Sequence, residues 1–289
     1  MSRTTSRGPV SVELLCETFQ VSRQAYYAAR QRPAAAPRRR AAPPGDFTPA
    51  PQAIEAIRRV CGAQSAWGVR KVWASLRREK LVVSRRRVWD LMATLGLLQR
   101  PVELRDEARR GHVAVPNSNR RWATDLTTVW TRTDGLVAVV PVIDCGDRTL
   151  LACDVTKSQE SLAVLAPVAR ALRDAFSDAA GVPEGLELRS DHGSQYTGSD
   201  CQDFCRTWRL THTFAPVSRP TGNAVAERVI LTLKLELIWA RDWASADELR
   251  QAVTTWMQTY NTERPHQALG WDTPLERRTQ NLSGRTVAA

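Results

Sequence analysis

The 289 residues are enough for one substantial domain plus one or two small ones, and a 43% hydrophobic content excludes a disordered or fibrous chain. The longest apolar stretch, Leu136 to Cys145, is too short to span a membrane, and no apolar segment follows the basic start as in a signal peptide. Residues 1–118 carry 22 Lys+Arg against 9 Asp+Glu and residues 119–289 carry 19 against 21, which together make the 41 and 30 of the chain.

The positive excess therefore sits wholly in the front part, as expected for a basic module that holds a polyanion joined to a nearly neutral module with another task. Nucleic acid is the commonest such polyanion. With neither a membrane-spanning stretch nor a signal-peptide pattern, a cytoplasmic location is expected, nucleoid-associated when the chain is on DNA, and the six cysteines form no CxxC pair and no secreted disulfide framework. Cys201 and Cys205, one helical turn apart, read as two small apolar residues on a buried helix face.

Along the chain, residues 8–32 predict two short helices joined by a tight turn, half of a helix-turn-helix unit. Residues 33–51, rich in Pro, Ala and Arg, form a linker. Residues 52–100 predict a second helical block with apolar stripes at Ile54, Ile57, Val60 and Cys61, then Val69, Val72, Trp73 and Leu76, then Val88, Leu91, Met92 and Leu95. Ser84 is placed to cap the last of these helices and Gly96 to stop it. That helix opens on Arg85, Arg86 and Arg87, three cations where the helix dipole disfavours them, and DNA phosphates would supply the reason.

Residues 101–118 form a second linker. From 119 to 280 the pattern alternates, with strands at Arg121–Trp130, Leu136–Asp144, Thr149–Val155, Leu186–Arg189 and Thr211–Phe214. Helices are predicted at Gln159–Ala175, Ser199–Trp208, Asn223–Ala240 and Ala246–Tyr260. Together these give an α/β core, a mixed five-stranded sheet with flanking helices, behind small all-α modules.

Three acids have telling positions. Asp125 falls inside a strand, Asp191 just past the end of another, and Glu227 on a helix whose same face carries Asn223 and Lys234. Singly, each has a plainer reading: Asp125 paired with Arg121, Asp191 a turn residue, Glu227 an exposed helix charge. Together they suit a hard divalent cation, because Mg²⁺ and Mn²⁺ take oxygen ligands from a few carboxylates, and converging carboxylates repel unless a cation offsets them. Arg264, Pro265 and His266 form a basic loop for which DNA contact and a structural role are equally open.

WATDLT, SDHGSQY and GNAVAERVILTLKLE resemble the catalytic core of retroviral integrases and bacterial insertion-sequence transposases, a superfamily known for an Asp-Asp-Glu triad. Thirty-five residues separate Asp191 from Glu227, as in that family, and Lys234 stands seven after the glutamate, where the family also has a basic residue. YNTERPHQALGWDTPLE resembles the tail of transposases encoded by a second reading frame, while AWGVRKVW, VSRRRVWDLMATLGL and LCETFQVSRQAYYAARQR resemble their upstream region.

The resemblance implies a ribonuclease-H-like core with Asp125, Asp191 and Glu227 as catalytic metal ligands for two Mg²⁺ or Mn²⁺ ions. It implies metal-dependent nicking at the terminal inverted repeats of a mobile element, then attack of the freed 3′-hydroxyl on target DNA. It further implies DNA contact by Lys234, a homo-oligomer in the synaptic complex, and an active form fused by frameshifting to an upstream DNA-binding product. Asn223 and His192 are expected to face the DNA beside the triad. Gly222 stands where relatives usually have Asp. Two other readings are a decayed remnant that only binds DNA as a repressor, and a nuclease of the same fold that cannot join strands.

Overall fold

The computed structural model describes residues 12–18, 22, 48–99, 115–215 and 223–284. The chain divides into two units, Met1–Gly45 and Asp46–Ala289. In the first unit one helix is described, α1 (Val12–Thr18), with Cys16 buried. Apart from Ser22, the rest of the expected 8–32 unit, the 33–51 linker up to residue 47, residues 101–114 of the second linker, and Gly222 lie outside the described residues.

The second unit begins with three helices, α2 (Ala50–Ala63), α3 (Val69–Arg78) and α4 (Arg85–Thr94). Pro51 sits in the first turn of α2, where a missing N–H costs no helical bond. The helices close around Ile57, Val60, Trp67, Val72, Leu76, Val88 and Met92, all buried. Burying each large apolar side chain stabilises the fold by roughly 1.5–3 kcal/mol, which sets the pairing of three otherwise charged helices. The Ser84 hydroxyl caps α4 by accepting from the Arg87 N–H at 3.2 Å, and Gly96 ends it at φ +68°.

The core is a sheet of β1 (Arg121–Thr124), β2 (Thr127–Thr131), β3 (Gly135–Asp144), β4 (Leu150–Thr156), β5 (Glu187–Ser190) and β6 (Thr211–Phe214). β1 and β2 both pair antiparallel with β3, end to end: Thr124 faces Val142 and Thr127 faces Val139. β4 pairs antiparallel with β3 as well, while β5 runs parallel to β1 and β6 parallel to β5. The six segments thus make a mixed sheet of five rows. The single strand expected over Arg121–Trp130 is in fact two, broken at Asp125 and Leu126. The physical cause is local: the Asp125 carboxylate accepts the Leu126 N–H at 2.8 Å and takes it from the ladder.

Both faces of the sheet are covered, and the β3 run Val137 to Ile143 is accordingly apolar without alternation. Val137, Val139 and Ile143 pack with α8 (Ala224–Glu236) and α9 (Ala246–Thr262) through Val229, Leu233, Leu249 and Val253. Val140 and Val142 pack on the opposite face with α5 (Ser161–Phe176) and α7 (Ser199–Thr207) through Val164, Leu165, Val168 and Cys201. A one-turn helix, α6 (Ser194–Thr197), follows β5. The chain's last described helix, α10 (Pro274–Leu282), opens on a capping box made by Thr273 and Glu276. Its Arg278 donates to Asp144 and Asp147 at 3.2 and 3.0 Å, both acids fully buried.

The helical module rests on this core. Lys71 of α3 meets Glu236 of α8 at 2.6 Å, Arg78 grips the Glu276 carboxylate with two bonds of 2.7 and 2.6 Å, and Trp73 meets Trp271 edge-on at 5.9 Å. Among the described residues no helix is long and apolar enough to cross a membrane.

Candidate active site

β1 and β5 are adjacent and parallel, with Ala123 opposite Arg189. Two residues further on, Asp125 and Asp191 leave these neighbouring strands side by side at the same end. Parallel strands lie about 4.8 Å apart, so the two carboxylates are forced into proximity by register alone. The Gly193 N–H donates to Asp191 at 3.0 Å, fixing its carboxylate at the turn into α6. Tyr196, fully buried, lies with its hydroxyl 3.3 Å from that of Thr124, and Thr124 donates to the Pro141 carbonyl at 3.1 Å. These contacts lock the residue that precedes Asp125.

Glu227 comes to the same place by way of Asn223. The Asn223 side-chain amide donates to the Thr124 carbonyl at 3.1 Å, tying the start of α8 to the end of β1. The Glu227 N–H donates to the Asn223 carbonyl at 3.1 Å, so the glutamate stands one turn into that helix, on an exposed position. α8 is held to the sheet by Ala226, Val229 and Leu233, which fixes its rotation.

Electrostatics reflect the convergence. Burial pushes the Asp125 carboxyl up to about 6 from an ordinary value of 3.8; the Leu126 amide and Lys234 oppose this, and the charges of Asp191 and Glu227 add to it. Two acids and one lysine therefore act on Asp125 together, as a group that a cation would complete.

The other expected site residues separate into two groups. Lys234 is half-buried and acts on Asp125 from the face of α8 that carries Glu227. His192 is exposed beside Asp191, its ring stacked on Phe214 at 4.8 Å. Arg85, Arg86 and Arg87 are exposed on the first turn of α4; Arg86 is paired with Asp90 at 3.1 Å and lies over the Trp89 ring at 4.9 Å.

Asn223, expected to face DNA, is only 4% exposed and donates its side-chain N–H to the Thr124 carbonyl, which ties the start of α8 to β1. The loop of Arg264, Pro265 and His266 is structural: Arg264 is buried and donates to Glu236 at 3.0 Å, and its other arm lies 3.2 Å from His266. Burial, with Arg264 and Lys71 nearby, drives His266 down to about 2, so it is neutral. Arg121 pairs with Glu187 at 2.5 Å, not with Asp125. Reasoning from the sequence missed Glu236 as the meeting point of Lys71 and Arg264, and Thr124 with Tyr196 behind Asp125. No local pattern marks partners so distant along the chain.

Comparison with known proteins bears on this arrangement. Residues 116–220 and 206–274 match two models of the integrase core domain, and residues 50–103 match an HTH-like domain. The transposase for insertion sequence element IS629 of Shigella sonnei is 30% identical over 223 residues, which cover 73% of each chain. The chain belongs to the insertion-sequence transposases of the retroviral-integrase superfamily. The transposase InsD for insertion element IS2 of Escherichia coli is 29% identical over 230 residues, 76% of each chain. Membership makes the fold ribonuclease-H-like, with a helix-turn-helix-like module ahead of it. It also makes the transposase an enzyme of the polynucleotidyl transferase class, acting in DNA transposition and integration.

Two solved structures are similar at lower levels. One is the intasome of simian T-cell lymphotropic virus with a PP2A regulatory subunit, at TM-score 0.48 and 15% identity over 77% of this chain and 74% of that one. The other is the HTLV-2 integrase catalytic core with magnesium, at 0.42 and 16% over 58% and 99%. Likeness at that level carries nothing about this chain's chemistry.

Proposed function

We propose that this transposase nicks the ends of a mobile element and joins the freed 3′-hydroxyl to another phosphodiester, with Asp125, Asp191 and Glu227 as the ligands of a divalent cation. The observation that carries this reading is the register of β1 and β5, which puts Asp125 and Asp191 side by side, while Asn223 ties the helix of Glu227 to Thr124. The carboxylates fit such an ion: they are hard oxygen donors, and burial, with the charges of Asp191 and Glu227 adding to it, holds the Asp125 carboxyl near 6.

Mg²⁺ or Mn²⁺, two ions per site in the working complex, would supply Lewis acidity toward the attacking and leaving oxygens. The chain's own groups do the rest. Thr124, Tyr196 and Asn223 hold the acids in place, Lys234 meets a phosphate of the element end, and His192 with Phe214 lines the approach beside Asp191. Arg85 and Arg87 present charge from the first turn of α4, where phosphates of the terminal repeat would satisfy them.

The partners of this reading are terminal-repeat and target DNA and further copies of the chain, since synapsis needs two ends held together. Fusion to an upstream product rests on the family resemblance alone, and the protein would work in the cytoplasm, where the DNA it acts on lies. Incubation of the full chain with Mn²⁺ and labelled DNA bearing the element's own terminal repeats tests the proposal. Nicked and joined products are expected. Binding without any product would leave the decayed, DNA-binding remnant as the better account, and nicking without joining would favour a nuclease.

A further inference from the structure

We propose that Cys201, Cys205 and His212 form a second metal site, for a thiophilic cation such as Zn²⁺, on the sheet face away from α8. The two cysteines lie one turn apart on α7, and His212 lies on β6, the strand next to β5, which ends just before Asp191. Their ligand atoms all fall within 4.8 Å of one another, and Cys201 Sγ is 3.9 Å from His212 Nδ1. A tetrahedral zinc ion with sulfur at about 2.3 Å and nitrogen at about 2.0 Å needs separations of about 3.5–3.8 Å. The cluster is thus within a small inward shift of that geometry.

Two buried thiols would pack as ordinary apolar groups if nothing were aimed at them, and that is how the sequence alone reads. His212 changes this. Ser190 Oγ donates its one proton to the Asp191 carbonyl at 2.9 Å, so toward His212 Nε2, 3.0 Å away, it can only accept. With Nε2 donating to Ser190, Nδ1 is the ring atom left facing Cys201 as a ligand. Metal-binding histidines are set up this way, with the far ring N–H held by an oxygen.

Soft sulfur with one imidazole selects a thiophilic cation over Mg²⁺ or Mn²⁺, so this site and the carboxylates do not compete for the same ions. Binding releases the two thiol protons to solvent and leaves one coordination position for a small exogenous ligand. The ion would pin α7 to β6 and, through His212 and Ser190, brace the backbone at Asp191.

The test uses the purified full chain, loaded with zinc chloride and desalted over a chelating resin, and separately with cobalt chloride. The unaltered chain should keep about one zinc per molecule and, with cobalt, show a thiolate-to-metal charge-transfer band. Asp191→Asn should keep both, while Cys205→Ser and His212→Asn should lose both. A cobalt spectrum of the unaltered chain without a thiolate band would overturn the site, and that reading needs no variant to fold. Zinc retention unchanged in Cys205→Ser would overturn it equally.

Discussion

Lys71 of the helical module and Glu236 of the core, 165 residues apart in the chain, form an ion pair of 2.6 Å at the end of the helix that carries Glu227. Glu236 is nearly buried and also accepts from Arg264 at 3.0 Å and from Trp256 at 3.3 Å. One carboxylate thus neutralises two cations at the joint between the DNA-binding module and the core. Glu236→Ala would strand both cations, at a cost of about 3–5 kcal/mol. Lys71→Ala leaves Glu236 its Arg264 partner and should cost about 1 kcal/mol. Thermal melts of the two variants compare these values, and equal losses would contradict the ranking.

Asp125 gives a pH dependence with a defined sign. Its folded value is raised from 3.8 to about 6, so between those values the folded state holds a proton that the unfolded state has lost. The contribution of Asp125 to stability in metal-free buffer is therefore fully present below 3.8 and is lost as pH rises through about 6. Asp125→Asn removes the effect and should stabilise the metal-free chain at pH 7 by on the order of 2 kcal/mol, with no gain at pH 4. Denaturant midpoints at the two pH values decide it.

The same group sets the metal dependence. A divalent cation must displace the Asp125 proton, so its apparent affinity should rise with pH up to about 6 and level off above. Titration calorimetry with Mn²⁺ at several pH values measures this, and an affinity flat from pH 5 to 7 would remove Asp125 from the ligand set.

Asn223→Ala cuts the bond to the Thr124 carbonyl. The expected loss is about 1–2 kcal/mol of stability, with strand joining reduced far more than DNA binding, because the helix of Glu227 loses its tie to β1. A variant that joined strands normally would show the tie to be unnecessary.

Arg85→Ala and Arg87→Ala should each weaken DNA binding and lower the slope of log affinity against log salt by about 1, without a change in melting temperature. Unchanged salt slopes would mean that the first turn of α4 does not touch phosphate.

Much of this was legible in the sequence. The apolar stripes of α2, α3 and α4, the Ser84 cap, the strand Thr211–Phe214 and the acids at strand end and helix all follow from local pattern. The break at Asp125 was not, because alternation continues across it in Thr127 to Trp130 while a side-chain hydrogen bond interrupts the ladder. α10 was missed because Pro274 alone of its residues is buried, although Thr273 and Glu276 carry the capping-box spacing. Asn223 has the residue type of a DNA contact, and only the fold reveals that its side-chain N–H is held by Thr124.

The central claim is that Asp125, Asp191 and Glu227 act as one cation-binding group for strand transfer. Its most direct test is joining of terminal-repeat DNA by the unaltered chain and by Asp191→Asn in Mn²⁺, with DNA binding measured on the same samples. The account predicts joined product only from the unaltered chain and equal binding by both. Joining that survives in Asp191→Asn would contradict it.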